Sequence, residues 1–128
     1  MIYLSSSQDA YVVKDIELKL GKSSIKPHEI INGEIKVHYP GRYDGVVVNA
    51  QILNSNQLIV YRSYNNKMIS QNVSRLFINR TDMPQNSAEF TASIEFEPKE
   101  PHEVKFRVSI IQEHKEIESD ILYAKLFP

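Results

Sequence analysis

Cysteine is absent from this 128-residue chain. The fold must therefore be stabilised by packing and hydrogen bonds, because a disulfide framework and a thiolate metal site both require that residue. Its absence also removes the thiol from the possible catalytic nucleophiles. A chain without cysteine fits a reducing compartment, and we predict a cytoplasmic location.

Glycine is scarce, with four residues, and tryptophan does not occur. None of the glycines lies in a glycine-rich loop that opens a helix, which is the arrangement that cradles phosphate groups. A nucleotide-binding site is therefore not expected. The chain also contains no Gly-x-Ser-x-Gly motif, so nothing in it indicates a strained serine nucleophile.

Neither sign of charge dominates, since 15 basic and 16 acidic residues give a net charge of −1. Nucleic-acid binding usually requires a basic excess to neutralise phosphates, so we expect no nucleic-acid partner. No apolar run approaches the roughly 20 residues of a membrane-spanning helix, and no membrane span is predicted. Residues 1–9 lack a basic leader and a long apolar run, so we predict no signal peptide.

Residues 26–39 contain the clearest pattern in the chain. After a turn at Pro27, apolar or small residues alternate with polar ones. Side chains of a strand point alternately to opposite faces, so the pattern predicts an antiparallel strand with one buried face. The buried face holds Ile31, Gly33, Ile35, Val37 and Tyr39, and the solvent face holds Asn32, Glu34, Lys36 and His38.

Other segments repeat this alternation at spacings of roughly 8–12 residues, and none has a wide apolar helical stripe. They predict an all-β fold, an antiparallel β-sandwich of about seven to nine strands, in one domain over residues 1–128. The strands are expected at residues 15–20, 29–39, 46–53, 58–61, 73–78, 88–96, 104–110 and 117–126. Residues 1–10 are expected to form a loose arm or a short edge strand.

Three finer predictions follow from the same pattern. Phe90 and Phe106 fall on apolar faces and are predicted to lie in the core. Gly41 and Gly45 flank a connection, where glycine is available for a positive φ angle. Residues 113–116 are expected to form a hairpin tip. The strand after it begins with Ile117, Ser119, Ile121 and Tyr123 on one face, with a change of facing expected near Leu122.

The order of these segments resembles the arrestin-like β-sandwich family over about residues 12–126. In that family a first strand is followed by a Pro-Gly-Glu type of turn, an apolar pair, a glycine and the next strand. Here Pro27, Glu29 and Gly33 hold the matching places, and His28 stands where glycine is common. The other matching stretches are residues 16–20, 46–52, the proline-terminated run 88–98, and 104–110.

The resemblance implies an arrestin- or immunoglobulin-like sandwich that acts as a cytoplasmic scaffold or adaptor and binds another protein. Such a module would be similar to the arrestin-like subunits of sorting and trafficking complexes, and to the sporulation-control group of bacteria and archaea. A full arrestin has two such domains in tandem, whereas this chain has the length of one. A homodimer would supply the second half.

The titratable residues give no pattern typical of an enzyme. The four histidines, at positions 28, 38, 102 and 114, stand at no metal-ligand spacing and are interpreted as solvated. One alternative is a weak metal site of His114 with Glu113 and Glu116. Glu95 and Glu97 alternate with apolar residues, so they are expected on the wet side of a strand. We therefore predict no catalytic residues, no resident metal and no cofactor.

Two loop clusters contain the residue types that dominate protein interfaces, tyrosine and arginine. The first is Arg42, Tyr43 and Asp44, and the second is Tyr61, Arg62 and Tyr64. Both are predicted to bind a partner with exposed side chains. The alternative is that these are ordinary loop residues, with Tyr43 covering the end of the sandwich.

A second mode of binding is strand addition, in which an open sheet edge pairs with a partner strand or with a second copy of the chain. The predicted edges are residues 58–61 and the first residues of the chain. We therefore predict a non-enzymatic protein-interaction module that uses loop ends or an exposed edge. The alternative is a β-sandwich that binds a sugar or a lipid on tyrosine platforms, and the lack of tryptophan weakens the sugar version.

Overall fold

The structure is a computed structural model, and it describes residues 14–128. These residues form ten strands in two sheets, so the predicted all-β sandwich is confirmed. The strands are β1 (Ile16–Leu20), β2 (Ser24–Ile25), β3 (Ile31–Val37), β4 (Gly45–Ile52), β5 (Val60–Tyr64), β6 (Lys67–Met68), β7 (Leu76–Asn79), β8 (Ser87–Ser93), β9 (His102–Gln112) and β10 (Lys115–Leu126). The arm or edge strand predicted at residues 1–10 lies outside the described residues.

Each sheet has five strands. Sheet A has the order β1-β3-β8-β5-β6, and sheet B has the order β2-β10-β9-β4-β7. Neighbouring strands are antiparallel as predicted, except that β2 runs parallel to β10 over two residue pairs, Ser24 with Lys125 and Ile25 with Leu126. β2 lies in the connection between β1 and β3 of sheet A. This connection reaches sheet B and runs alongside the last residues of β10.

Alternation along the strands places one face of each sheet in a common core. The buried face predicted for Ile31–Val37 is confirmed, and Tyr39 is half-buried beyond the end of that strand. Phe90 and Phe106 are 1% and 0% exposed, as predicted. Gly33 lies opposite Phe90, and a Cβ atom at Gly33 would collide with the Phe90 ring. The glycine therefore provides the space that the Phe90 ring occupies.

Glycine serves for close packing rather than for backbone freedom in this fold. None of the four glycines has a positive φ angle, so the expectation for Gly41 and Gly45 is wrong. A Cβ atom at Gly45 would collide with the carbonyl oxygen of Ile78 across the β4–β7 ladder. The positive φ angles belong instead to His28, Asn54, Asn65, Asn66, Gln85, Asn86, Glu113 and His114.

Strand bounds differ most from the prediction at β5 and β7. The segment predicted at residues 58–61 forms a strand only from Val60, and it continues to Tyr64 because a hairpin turn at Asn65 and Asn66 pairs it with β6. Leu58 lies before the strand and is 62% exposed. The segment predicted at residues 73–78 pairs only from Leu76, where it meets β4.

The last strand changes facing earlier than the sequence pattern predicts. The β9–β10 ladder shifts register between Glu116 and Glu118, and a bulge of this kind moves every later side chain to the other face. Asp120 consequently points inward, whereas Ile121 and Tyr123 are 39% and 52% exposed. The predicted shared face of this strand is therefore wrong beyond the bulge.

One polar side chain closes each lateral margin of the sandwich, and we call these two contacts the seams. At one margin, Asp120 of β10 accepts the backbone N–H of Leu18 in β1 at 3.0 Å, and the same carboxylate binds Lys14 Nζ at 3.0 Å. At the other margin, Tyr61 of β5 donates its hydroxyl to the carbonyl oxygen of Val48 in β4 at 3.2 Å. Each seam joins sheet A to sheet B and gives an edge backbone group a partner.

Candidate interaction surfaces

Tyr43 of the first predicted cluster supports the end of the sandwich. It is 2% exposed, and its hydroxyl donates to Asn86 Oδ1 at 2.6 Å. The Arg80 guanidinium lies over the ring, 4.7 Å from its centroid, and burial raises the pKa of Tyr43. The prediction that Tyr43 is exposed is therefore wrong, and its position matches the alternative in which it covers the sandwich end.

Arg42 and Asp44 are both exposed and hold the β9–β10 hairpin. Asp44 Oδ2 accepts the backbone N–H of Glu113 at 2.8 Å, and the carbonyl oxygen of Arg42 accepts a hydrogen bond from Gln112 Nε2 at 2.7 Å. The hairpin therefore depends on the same loop that the sequence indicated as a binding loop. A partner-binding role for Arg42 and Asp44 stays a prediction.

The second predicted cluster lies on β5, where alternation separates its side chains. Tyr61 is 3% exposed, and the prediction that it is exposed is wrong because β5 directs it into the core. Burial raises the pKa of Tyr61, so its hydroxyl stays protonated and donates in the seam. Tyr64 is half-buried and Arg62 is exposed. Within residues 14–128 no hydrogen bond or ion pair connects the two clusters directly.

Arg62 belongs to a polar network that the sequence pattern did not indicate. Its Nε donates to Ser93 Oγ at 3.0 Å, and its Nη2 lies 3.0 Å from Glu95 Oε2. His28 completes the network, with Nδ1 3.1 Å from Glu95 Oε1 and Nε2 2.8 Å from Glu97 Oε2. We call these five residues the His28 network.

The His28 network favours a charged imidazole. Both ring nitrogens face carboxylate oxygens, and an imidazole donates from both nitrogens only when it is protonated. The hydrogen bond to Glu97, followed by that to Glu95, raises the pKa of His28. Hydrogen bonds from Ser93, Arg62 and His28 lower the pKa of Glu95 to about 2.

The sequence contained part of the signal for this network. Glu95 and Glu97 were placed on the wet side of their strand, and both are exposed. His28 lies 67 residues before Glu95, so only the packing of the 26–29 turn against the end of β8 brings them together. The backbone N–H of His28 donates to the carbonyl oxygen of Ile94 at 2.8 Å, which fixes that approach.

Among residues 14–128, the outer side of β10 is paired only at the end of the strand. There the backbone N–H of Lys125 donates to the carbonyl oxygen of Ser23 at 2.8 Å, so it points away from β9. Backbone groups of a strand alternate in direction, and therefore those of Ser119, Ile121 and Tyr123 point the same way as those of Lys125.

These three residues also direct their side chains to the surface. Ile121 and Tyr123 are among the exposed large hydrophobic residues of the described chain, and Ser119 is exposed as well. Among residues 14–128, no strand pairs with them on the side away from β9. We call Ser119, Ile121 and Tyr123 the β10 edge.

The described residues contain no group of three or more His, Asp or Glu side chains arranged to hold a metal ion. The alternative metal site at the hairpin tip is not formed, because Glu116 binds Arg107 and accepts the Ser109 hydroxyl at 2.6 Å. Residues 14–128 also contain no helix with the length and hydrophobicity needed to cross a bilayer.

No protein-family model and no curated protein matches this sequence. Solved structures match its fold. The reeler domain of human F-spondin is 11% identical with a TM-score of 0.53, and the match covers 87% of this chain and 89% of that one. A structure of the Reelin-N domain of F-spondin is 14% identical with a TM-score of 0.52, and covers 89% and 86%.

A conjugative transposon lipoprotein from Bacteroides eggerthii also matches. It is 7% identical with a TM-score of 0.51, and the match covers 88% of this chain and 96% of that one. At these identities the similarity establishes a shared β-sandwich fold and nothing about activity.

Proposed function

We propose that this chain is a non-enzymatic protein-interaction module that accepts an extended segment of a partner protein along the β10 edge. The observation that carries the proposal is the coincidence, at Ser119, Ile121 and Tyr123, of outward backbone groups with exposed side chains. Strand addition uses both features, because main-chain hydrogen bonds supply affinity and alternate side chains supply specificity.

Within residues 14–128, two of the devices that commonly protect a sheet edge are missing from the β10 edge. Native edge strands are commonly blocked by proline, lysine, bulges or very short length. Between the bulge at Glu116–Glu118 and the β2 pairing at Lys125, the strand has neither proline nor lysine. The bulge and β2 thus bound a slot that fits one short partner strand.

The resemblance to the arrestin-like family supports a scaffold or adaptor role, in the cytoplasm, for such a module. An adaptor requires a surface that recognises a protein without chemical conversion, and an open sheet edge provides one. A second copy of the chain is the other partner that this edge would accept, through antiparallel pairing of two β10 strands.

The alternative of a sugar- or lipid-binding sandwich loses two of its tyrosine platforms, because Tyr43 and Tyr61 are buried. Tyr123 is the exposed tyrosine of the described residues, and it belongs to the β10 edge.

The decisive test replaces Ile121 by proline. The N–H of Ile121 points away from β9, so proline there removes no hydrogen bond of the β9–β10 ladder but prevents pairing on the open side. Ile121→Val is the matched control, because it keeps the backbone donor and a β-branched apolar side chain. Tagged wild type and both variants are expressed in the native host, and stoichiometric partners are compared by mass spectrometry.

We expect a stoichiometric partner to co-purify with wild type and with Ile121→Val, and to be lost with Ile121→Pro. Circular dichroism and the thermal midpoint check that the proline variant is folded. Hydrogen exchange provides a second measurement on the isolated protein, where the amides of Ser119, Ile121 and Tyr123 should exchange rapidly. Protection of these amides in the isolated monomer, or retention of the partner by a folded Ile121→Pro variant, would overturn the proposal.

A further inference from the structure

A groove of about 400 Å³ lies on the outer face of sheet B, and its β9 residues Lys105 and Arg107 pair with Tyr123 and Ile121 of the β10 edge. Its floor is formed by the outward side chains of β4. One wall comes from β9, and the other comes from the loop before β5 and the segment before β7. The lining residues are Asn49, Ala50, Gln51, Leu58, Ser74, Arg75, Lys105 and Arg107. We call this the basic groove.

The groove concentrates positive charge in a chain whose net charge is −1. Its lining contains three cationic side chains and no carboxylate. Arg75 and Lys105 form no ion pair within residues 14–128. Arg107 is held by Glu116 through Nε and Nη2, so Nη1 is outside that pair. A carboxylate ligand would therefore meet two cations without an ion pair in the described residues, Arg75 and Lys105, beside Arg107, whose charge Glu116 already compensates.

The spacing of the cations favours an extended peptide over a small anion. Lys105 and Arg107 are two residues apart on one strand, so their side chains leave the same face about 6.5–7 Å apart. Carboxylates at alternate positions of an extended chain have the same spacing. A small anion would instead require donors that converge on one point, whereas Arg75 belongs to the segment before β7 and the other two cations belong to β9.

The uncharged lining fits the same ligand. Asn49 and Gln51 are exposed on the floor, and their amide groups can pair with the backbone of an extended chain. Leu58, which is 62% exposed, offers an apolar contact at the rim. We infer that the basic groove binds an acidic, extended segment of a partner protein that carries carboxylates at alternate positions. This site is additional to the β10 edge.

The test uses a ten-residue peptide of alternating glutamate and alanine, with a matched peptide that has glutamine in place of glutamate. Each is titrated into the ¹⁵N-labelled full chain, and the side-chain amide signals of Asn49 and Gln51 are followed by NMR. We expect these signals to shift with the glutamate peptide only, and the dissociation constant to rise with salt because exposed charge pairs are screened.

The variant Arg75→Gln/Lys105→Gln should weaken binding roughly tenfold, since each exposed pair contributes up to about 1 kcal/mol. Lys36→Gln/Lys99→Gln removes two exposed lysines outside the groove and should leave the dissociation constant unchanged. Arg75→Gln alone, which lies outside the β9–β10 ladder, should weaken peptide binding while the co-purifying partner is retained, which separates this site from the β10 edge. Equal binding of the two peptides, no loss in the Arg75/Lys105 variant, or equal shifts with inorganic phosphate would overturn the inference.

Discussion

Phe90, Phe106 and Phe77 show that the position of a residue in the strand alternation, and not its type alone, determines its burial. Phe90 and Phe106 lie in the core, as the pattern of their strands predicted, and the Phe90 ring packs edge-on against Tyr61 with centroids 6.4 Å apart. Phe77, at the opposite phase of its own strand, is 44% exposed. The three phenylalanines therefore provide a test of facing within one amino-acid type.

We expect Phe90→Ala and Phe106→Ala each to lower the free energy of unfolding by about 3–5 kcal/mol, because each leaves a cavity in the core. Phe77→Ala should cost less than either core change, since its ring is already 44% exposed and its removal leaves no enclosed cavity. Urea unfolding measures all three. A loss below about 1 kcal/mol at both core positions would contradict the assigned facing.

His28 should make stability depend on pH. Its raised pKa in the folded state means that its contribution is complete below the ordinary histidine value, about 6.5, and is lost as pH rises through the folded value. Glu95, with its pKa lowered to about 2, contributes above the ordinary glutamate value of about 4.3 and loses that contribution as pH falls. The His28 network therefore stabilises most between these two ordinary values.

His28→Asn tests this dependence, because asparagine tolerates the positive φ angle of 68° and does not titrate in this range. The urea midpoint of the variant should fall below that of wild type at pH 5.5, and the two should converge at pH 9. Glu97→Gln, which removes the principal partner of His28, should show the same convergence. An equal difference at both pH values would mean that the imidazole charge is not involved.

At the scale of elements, the β9–β10 hairpin shows that tertiary contacts override turn chemistry. Both residues of its two-residue turn, Glu113 and His114, have positive φ angles of 50° and 67°, where asparagine and glycine are usual. The carboxylate of Asp44, 69 positions before Glu113, accepts the turn's N–H. The hairpin tip was predicted from polarity, but its conformation depends on this distant contact.

We expect His114→Gly to stabilise the protein by about 0.5–1 kcal/mol. Relief of left-handed strain is worth about 1–2 kcal/mol, and the added freedom of glycine in the unfolded chain offsets part of it. Lys115→Gly, one residue later in β10, has no such strain to relieve and should destabilise. Thermal midpoints measured by calorimetry should move in opposite directions for the two variants, and movement in the same direction would refute the strain argument.

The change of facing in β10 occurs at a different position from the one that the sequence pattern predicted. Strict alternation in residues 117–123 predicted one face, and the register shift between Glu116 and Glu118 reverses it. Glu116 binds Arg107 and Ser109, which fixes the bulged segment through side-chain contacts with β9. A bulge inserts one extra residue into a strand and requires no particular apolar residue. The position of the bulge therefore cannot be predicted from the apolar pattern alone.

At the scale of the whole molecule, the seams join the two sheets through backbone groups whose hydrogen-bond partners lie in the opposite sheet. Tyr61→Phe would leave the carbonyl oxygen of Val48 without its hydroxyl partner, and Asp120→Ala would leave the N–H of Leu18 without its carboxylate. Each change should cost about 1–3 kcal/mol, the usual penalty for an unpaired buried polar group.

The two seams lie at opposite margins and share no partner, so the double variant should cost the sum of the single variants within about 0.5 kcal/mol. Tyr123→Phe removes an exposed hydroxyl from the same residue type and should be nearly neutral. Chemical denaturation of wild type, the two single variants and the double variant provides the double-mutant cycle, with Tyr123→Phe as the control. A double variant that costs much less than the sum would show that the margins are coupled through the core.

The sequence by itself determined the fold class and the core. Alternation with period two is a local property of the extended backbone. It therefore separates inward from outward side chains whichever strands pair with each other. Ile35, Phe90 and Phe106 could therefore be assigned to the core from their neighbours alone. The absence of cysteine and the even charge balance were likewise readable without a structure.

Only the tertiary structure decided which surfaces are available for binding. The burial of Tyr43 and Tyr61, the partners of His28, and the open backbone groups of the β10 edge all depend on residues far apart in the chain. The basic groove is formed by residues from two strands, β4 and β9, and two connections. Such surfaces depend on the order and register of the strands. A local pattern is compatible with several orders and registers, and long-range packing selects one of them.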